Sequence, residues 1–169
     1  MIEIQKAQLA DAPALADLFL SHIDAHREYI SHGEIQMGVG EGDVVNGELM
    51  ARPSALAREK WMKYIRLHIE NESLAHVWKA VDGGRIVGFC VADIEDDGDT
   101  PFGMVCDVLV RSDCRGCGAG GTLLQTAIDW LRGCGIKDIY LESGKNNHAA
   151  HRFFEKRGFA HVSEIYKLA

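Results

Sequence analysis

At 169 residues and 18.6 kDa, with 47% hydrophobic and 25% charged side chains, the chain has the size and polarity of a single globular domain, residues 1–169, able to bury a core. A net charge of −7, from 18 basic against 25 acidic residues, argues against nucleic acid and anionic membrane surfaces as main partners and points toward a cationic substrate. No stretch approaches the roughly 18 uninterrupted apolar residues of a membrane helix, and the start lacks a basic segment followed by an apolar run, so a cytoplasmic protein is expected.

Ile2 to Ala7 alternates as a half-buried strand does. Asp11 and Pro13 open a first helix that runs to about Tyr29 through Leu15, Leu18, Phe19, His22 and Ile23. Residues 31–51 hold five glycines and no clear period, which reads as a long loop with a short extended piece at Val44 and Val45, either functional or a solvated insertion. A second helix is expected from Pro53 to about Glu72. Two strands, 75–81 and 85–94, flank the turn Asp82-Gly83-Gly84, and a buried strand follows at 102–110. A third helix carries Leu123, Leu124, Ala127, Ile128 and Leu131. Residues 137–142 form a strand, Asn147 to Arg157 a fourth helix stopped by Gly158, and 159–168 a last strand.

Five cysteines, an odd number, argue for free thiols, and the Cys114-x-x-Cys117 pair lacks the second pair of a structural zinc site. The eight histidines show no metal spacing, so no metal is assigned. The acidic turn Glu95, Asp96, Asp97 and Asp99 is either a solvated hairpin tip or an attraction for a polycation.

Chemistry concentrates at "RGCGAGGTLL", Arg115 to Leu124. Glycines between a strand and a helix let backbone N–H groups converge on an anion, and the helix N-terminus adds partial positive charge. Two registers overlap here. Gly116, Gly118 and Gly121 spell the G-x-G-x-x-G of a dinucleotide turn, with Glu142 placed as a ribose-binding acid. Against that reading, five residues separate Val110 from Gly116, only 27 follow Glu142, and hairpins rather than βα units precede the loop.

In the R-x-x-G-x-G register, Val110 followed by "RSDCRGCGAG" resembles the strand, bulge and pyrophosphate loop of the GNAT superfamily of coenzyme A dependent N-acyltransferases. "NNHAAHRFFEKRGF" resembles that superfamily's second motif, with Asn147, Ala150, Phe153, Gly158 and Phe159 at matching spacings. The matched core covers about residues 74 to 168. The resemblance implies an α/β fold with a central mixed, mostly antiparallel sheet flanked by about four helices, acetyl-CoA as cosubstrate, a small-molecule amine as acceptor and a possible homodimer.

It also implies residue roles. Leu109 and Val110 would pair with the pantetheine arm where two strands diverge, and an amide there would face the thioester carbonyl. The amides of Gly116, Cys117, Gly118, Ala119 and Gly120 would hold the pyrophosphate, with Arg115 in electrostatic support. Arg111, Arg152 and Lys156 are either near the nucleotide or ordinary solvated charges. Asn147 would contact the cofactor arm and cap its helix. Phe154, also beside the cofactor, stands where members with a general acid often carry Tyr, so that role is vacant or falls to water, to Tyr166 or to the amine's own proton. Asp107 is the first candidate for the base that deprotonates the amine, Glu142 the second, and a structural acceptor role for Asp107 stays open. The acceptor reads as a small cationic amine, aminoglycoside-like, a polyamine or an amino-acid derivative. Peptide N-termini, and a noncatalytic acyl-CoA sensor, are the alternatives.

Overall fold

The computed structural model describes residues 1–169. In chain order it holds β1 (Glu3–Lys6), α1 (Ala12–Ala25), α2 (His32–Gln36), β2 (Gly40–Val45), β3 (Glu48–Pro53), α3 (Ala57–Glu70), β4 (Ala75–Asp82), β5 (Arg85–Glu95), β6 (Phe102–Val110), α4 (Ala119–Gly133), β7 (Ile139–Leu141) and α5 (His148–Glu155). No helix is long and apolar enough to cross a membrane. Two compact units divide the chain: Met1–Phe19 with Trp61–Glu142, and Leu20–Lys60 with Ser143–Ala169.

The first unit is built on a five-stranded sheet in the order β1-β4-β5-β6-β7, antiparallel except for the parallel β6–β7 pair. The β4–β5 hairpin turns on Gly83 and Gly84, both left-handed, as a two-residue loop that follows the strand twist requires. Trp61 anchors the core, stacked on Phe19 at 4.8 Å and edge-on to Phe89 at 5.5 Å, with Leu15, Ile65, Val77 and Val91 fully buried. Helix α4 buries Leu123, Leu124, Ala127 and Leu131, a helical stripe, against β4, β5 and β6. Leu131 seats on bare backbone, because a Cβ at Gly103 would come within 2.8 Å of its Cδ1.

A tighter approach lies between β5 and β6, where a Cβ on Gly88 would sit 2.7 Å from the carbonyl oxygen of Leu109. Backbone held by a ladder does not yield as a side chain tip does. Gly88→Ala is therefore expected to destabilise the fold by about 1–3 kcal/mol, read as a lower denaturation midpoint. An unchanged midpoint would mean that the two strands are not locked at this distance.

In the second unit, α2 starts from a reciprocal cap in which the Ser31 amide and hydroxyl both donate to Glu34 at 2.8 Å. Strands β2 and β3 form a separate antiparallel hairpin closed by Asn46-Gly47, both with positive φ (52° and 81°). The 31–51 segment is thus a short helix and a hairpin strand pair rather than a loop, and it supplies one of the five helices. "VVNGEL" carries the Asn-Gly signal of a type I′ turn, which the glycine count had obscured. Gly42 admits no side chain, because a Cβ there would meet the backbone of Met50 and Ala51. Lys145 pairs with Glu48 at 2.9 Å.

The expected last strand is absent. Gly158 (φ 89°) ends the final helical turn, Phe159 N–H donates to Phe154 O, and Ala160–Ala169 is exposed without regular structure. The alternation is real, but a strand needs a neighbour for its backbone groups, and none pairs with this segment. Tyr166 accordingly lies on no strand; it is 87% exposed and donates its hydroxyl to Glu164 at 2.9 Å.

Candidate active site

Strand β6 organises the site. Val91 faces Asp107 but Ala92 faces Val105, so Cys106 is an extra residue that bulges β6. On the other edge, pairing with β7 runs only from Gly103–Ile139 to Val105–Leu141. From Cys106 to Val110 that edge of β6 faces no strand: the two parallel strands open at the bulge.

Backbone parity decides which groups line this opening. Arg111 N–H donates to Val87 O at 2.8 Å, and bonding alternates along an antiparallel pair. Leu109 and Asp107 therefore turn their backbone groups to β5, while Val108 and Val110 turn theirs to the open edge. Of the two residues expected to pair with a cofactor arm, Val110 turns its backbone to the open edge and Leu109 is engaged with β5. Val108 joins Val110, which the sequence could not reveal because parity depends on the bonding register.

Beyond Val110 the chain makes a short turn at Ser112–Cys114 and reaches α4 through Gly116 and Gly118, with φ of 82° and 87°. The amides of Gly116, Cys117, Gly118, Ala119 and Gly120 donate to no backbone carbonyl or side chain, and the first turn of α4 holds no acid. A Cβ at Gly116 or Gly118 would meet no protein atom within 4 Å. Uncommitted donors at the start of a helix, where its dipole adds positive charge, suit an anion. Arg115 is exposed, and its Nε reaches Val110 O at 3.4 Å, tying the loop to the open edge. Arg111 is committed to Asp113 through two 3.0 Å bonds, which hold the Asp113 carboxyl down at about 2. Cys117 Sγ donates to Cys114 O at 2.5 Å, and neither cysteine is in a disulfide.

The side chain of Asp107 meets α3, where the Tyr64 hydroxyl donates to its Oδ2 at 2.6 Å. Burial above all, then the negative charge of Asp107, pushes the Tyr64 hydroxyl far above its ordinary range, so Tyr64 remains a donor. One helical turn on, His68 Nδ1 donates to Tyr64 O at 2.9 Å and Nε2 donates to Asp93 Oδ2 at 3.0 Å. Burial lowers the affinity of His68 for its proton. The Asp93 hydrogen bond, the Tyr64 carbonyl and the charges of Asp93 and Asp107 outweigh burial, so the pKa is raised. With both ring nitrogens facing acceptors, the imidazolium is the favoured form.

Because the folded pKa exceeds the unfolded one, the stabilisation from His68 is complete below the unfolded value of about 6.5 and is lost as pH rises through the folded value. The melting temperature of wild type minus that of His68→Gln should shrink across this window. A difference that stays flat or grows with pH removes the assignment.

Burial, followed by the charge of Asp107, pushes the Cys90 thiol up; for Cys106, burial is followed by the charges of Asp93 and Asp107. Both stay protonated and are poor nucleophiles, which favours direct transfer over an acylated cysteine. Glu142 is exposed just past the end of β7. In the second unit, Asn147 precedes α5 and its side chain accepts from Ala150 N at 3.2 Å, the capping role expected of it. Half-buried Phe154 lies edge-on to Phe153 at 5.4 Å and to Phe159 at 6.1 Å.

The family model described as "Acetyltransferase (GNAT) family" matches residues 45–159. The chain belongs to the GNAT acetyltransferase family. N-alpha-acetyltransferase 30 of Schizosaccharomyces pombe is 27% identical over 111 residues, 64% of this chain and 73% of that protein. An uncharacterized N-acetyltransferase of Bacillus subtilis is 36% identical over 64 residues, so that match spans 37% of this chain and 45% of that relative. A predicted acetyltransferase from Clostridium acetobutylicum, solved with acetyl-CoA, superposes with a TM-score of 0.71 at 17% identity, covering 100% of this chain and 96% of that one. That likeness shows the GNAT fold, with its mixed, mostly antiparallel sheet.

Tyr64, His68, Asp93 and Val108 were not singled out in the sequence. Tyr64 and His68 sit one turn apart on α3, where they read as part of an amphipathic stripe, and nothing local distinguishes a packed tyrosine from one that holds a carboxylate.

Proposed function

We propose that this GNAT protein transfers an acetyl group from acetyl-CoA to the primary amine of a small, cationic acceptor by direct attack, with residues 1–169 acting as one catalytic domain. The observation that carries the reading is the opening of β6 from β7 at the Cys106 bulge, continuous with a loop whose amides from Gly116 to Gly120 are uncommitted. The acyl-CoA arm lies along the open edge, bonded by Val108 and Val110. The diphosphate sits on the amides at the start of α4, with Arg115 in support.

The outward amide of Val108 or Val110 faces the thioester oxygen, where negative charge grows as the amine nitrogen bonds to the carbonyl carbon. Asp107, oriented by Tyr64, takes the proton that the amine gives up. The C–S bond breaks, and the thiolate leaves and is protonated by water, since Phe154 has no proton to give and Tyr166 is held by Glu164. Asn147, which caps α5, and Phe154 remain the cofactor-binding candidates that the second motif supplies. Glu142 is the second candidate base.

Two observations keep other readings in play. The relation to a protein named N-alpha-acetyltransferase favours peptide N-termini as acceptors, and the phenyl ring of Phe154 favours a sensor that binds acyl-CoA without turnover. An acceptor panel of aminoglycosides, polyamines, amino acids and peptides, followed by chromatographic detection of free coenzyme A, tests all three. Turnover with small amines supports the proposal, turnover confined to peptides replaces its acceptor, and tight acetyl-CoA binding without turnover replaces it by the sensor.

A further inference from the structure

Three side chains of different chemistry meet where α3 covers the sheet: His68 of α3, Asp93 of β5 and Cys106 of β6. One ligand atom of each, a ring nitrogen, a carboxylate oxygen and a sulfur, lies within 4.8 Å of the other two. The strands account for the placement. Phe89 and Asp93 share the face of β5 that α3 covers, Phe89 edge-on to Trp61 at 5.5 Å and Asp93 Oδ2 3.0 Å from His68 Nε2. Asp107 also reaches α3, through Tyr64, and in a regular strand the residue before it would point to the opposite face. The bulge breaks that alternation and brings Cys106 round to α3 beside Asp107.

The second nitrogen of His68 orients the first. Nδ1 donates to Tyr64 O at 2.9 Å, a backbone partner that fixes the ring and leaves Nε2 aimed at the cluster, which is how metal-binding imidazoles are held. Asp93 Oδ1 is buried without a hydrogen-bond partner, and a buried acceptor in that position needs an explanation such as an ion. Cys106 Sγ makes a long 3.7 Å contact to Met104 O and is in no disulfide. The side chains of His68 and Asp93 are 16% and 19% exposed, so an ion has a way in.

We propose that His68 Nε2, the Asp93 carboxylate and the Cys106 thiolate bind one zinc ion, with the fourth position open to water. Nitrogen, sulfur and oxygen donors together suit a borderline-soft cation, whereas magnesium or calcium would find a single carboxylate among them. Zinc bonds of about 2.0–2.3 Å put tetrahedral ligand atoms about 3.3–3.6 Å apart, so the three need close in by only about 1 Å. The ion takes the place of the Cys106 thiol proton and the His68 Nε2 proton, which pass to solvent, and two anionic ligands balance its charge. Bound there, it ties α3 to β5 and β6 next to Asp107. His68 and Asp93 are 25 residues apart and all three ligands lie on different elements, so no local spacing announces the site.

Cobalt as a coloured substitute for zinc tests this on the full chain, stripped with chelator and kept reduced. One cobalt ion per chain is expected, with the visible bands of a tetrahedral centre and a thiolate-to-cobalt charge-transfer band in the near ultraviolet, all abolished by an equivalent of zinc. Loss of a group that merely supports a ligand costs about 10–100-fold in metal affinity, and loss of a ligand should cost at least the upper end. Cys106→Ser should therefore remove the charge-transfer band, and Asp93→Asn, which keeps the shape of the side chain, should weaken zinc binding about a hundredfold or more. Zinc should raise the melting temperature of the wild type and of neither variant. The double substitution Cys114→Ser with Cys117→Ser should keep the full spectrum. A wild type without the charge-transfer band in a large molar excess of cobalt overturns the proposal. So does a band that persists at full affinity in Cys106→Ser and Asp93→Asn, or one lost with Cys114 and Cys117, since the ion then sits elsewhere. Circular dichroism reads the fold of each variant, and should Cys106→Ser not fold, Asp93→Asn decides the matter. None of these readouts uses acetyl transfer, so they stand or fall apart from the proposed reaction.

Discussion

Gly118→Asp is expected to weaken acetyl-CoA binding about a hundredfold while leaving the fold in place. Gly118 has φ of 87° and is the residue from which α4 starts, with its amide among those proposed to hold the diphosphate. A Cβ there would meet no protein atom, and Asp is among the residues that tolerate the left-handed region, so the native state loses at most about 1–2 kcal/mol. Its carboxylate would stand against a diphosphate, and like-charge contact of this kind costs several kcal/mol, of which about 2.7 corresponds to a hundredfold. Titration calorimetry reads the affinity and thermal denaturation the fold. Wild-type affinity in the variant would displace the anion from this loop.

For Asp107→Asn, a fall in kcat of about 10²–10⁴ is expected with little change in acetyl-CoA affinity, the range ascribed to a general base. The amide oxygen still accepts from Tyr64, so the packing at α3 survives and a purely structural role predicts little loss. The deficit should narrow as pH approaches the acceptor's own pKa, because a base that deprotonates the amine becomes unnecessary once the amine is already neutral. Tyr64→Phe keeps the ring and removes the bond to Asp107 Oδ2; a loss of about tenfold in kcat is expected, in line with a hydrogen bond to a charged group. Full activity in Asp107→Asn, or a deficit that ignores pH, would end the assignment of this base.

Much of the architecture was legible from residues alone. Strand β6 runs over the predicted residues 102–110, and the β4–β5 turn falls on its glycines. The glycine turn ahead of α4 was legible for the same reason: a left-handed turn that feeds a helix requires glycine at fixed places, here Gly116 and Gly118, so the requirement is written locally. The hairpin β2–β3 is hidden in the sequence although its Asn-Gly turn is present, because on a ribbon exposed along one face the alternation is faint beside so many glycines. The last strand was predicted from a sound pattern that has no partner within the chain.

Turn chemistry, helix periodicity and the spacing of the two motifs depend on neighbours a few residues away, and the sequence alone settled what rests on them: an α/β acyltransferase fold with a glycine turn at 115–120 that feeds a helix. What the tertiary structure decided involves residues far apart in the chain. The Cys106 bulge set which amides face the open edge, Tyr64 came to Asp107 from 43 residues away, and residues 160–169, strand-like in pattern, pair with no strand. Each depends on register between distant segments, and register is selected by the energy of the assembled sheet rather than by any short run of side chains.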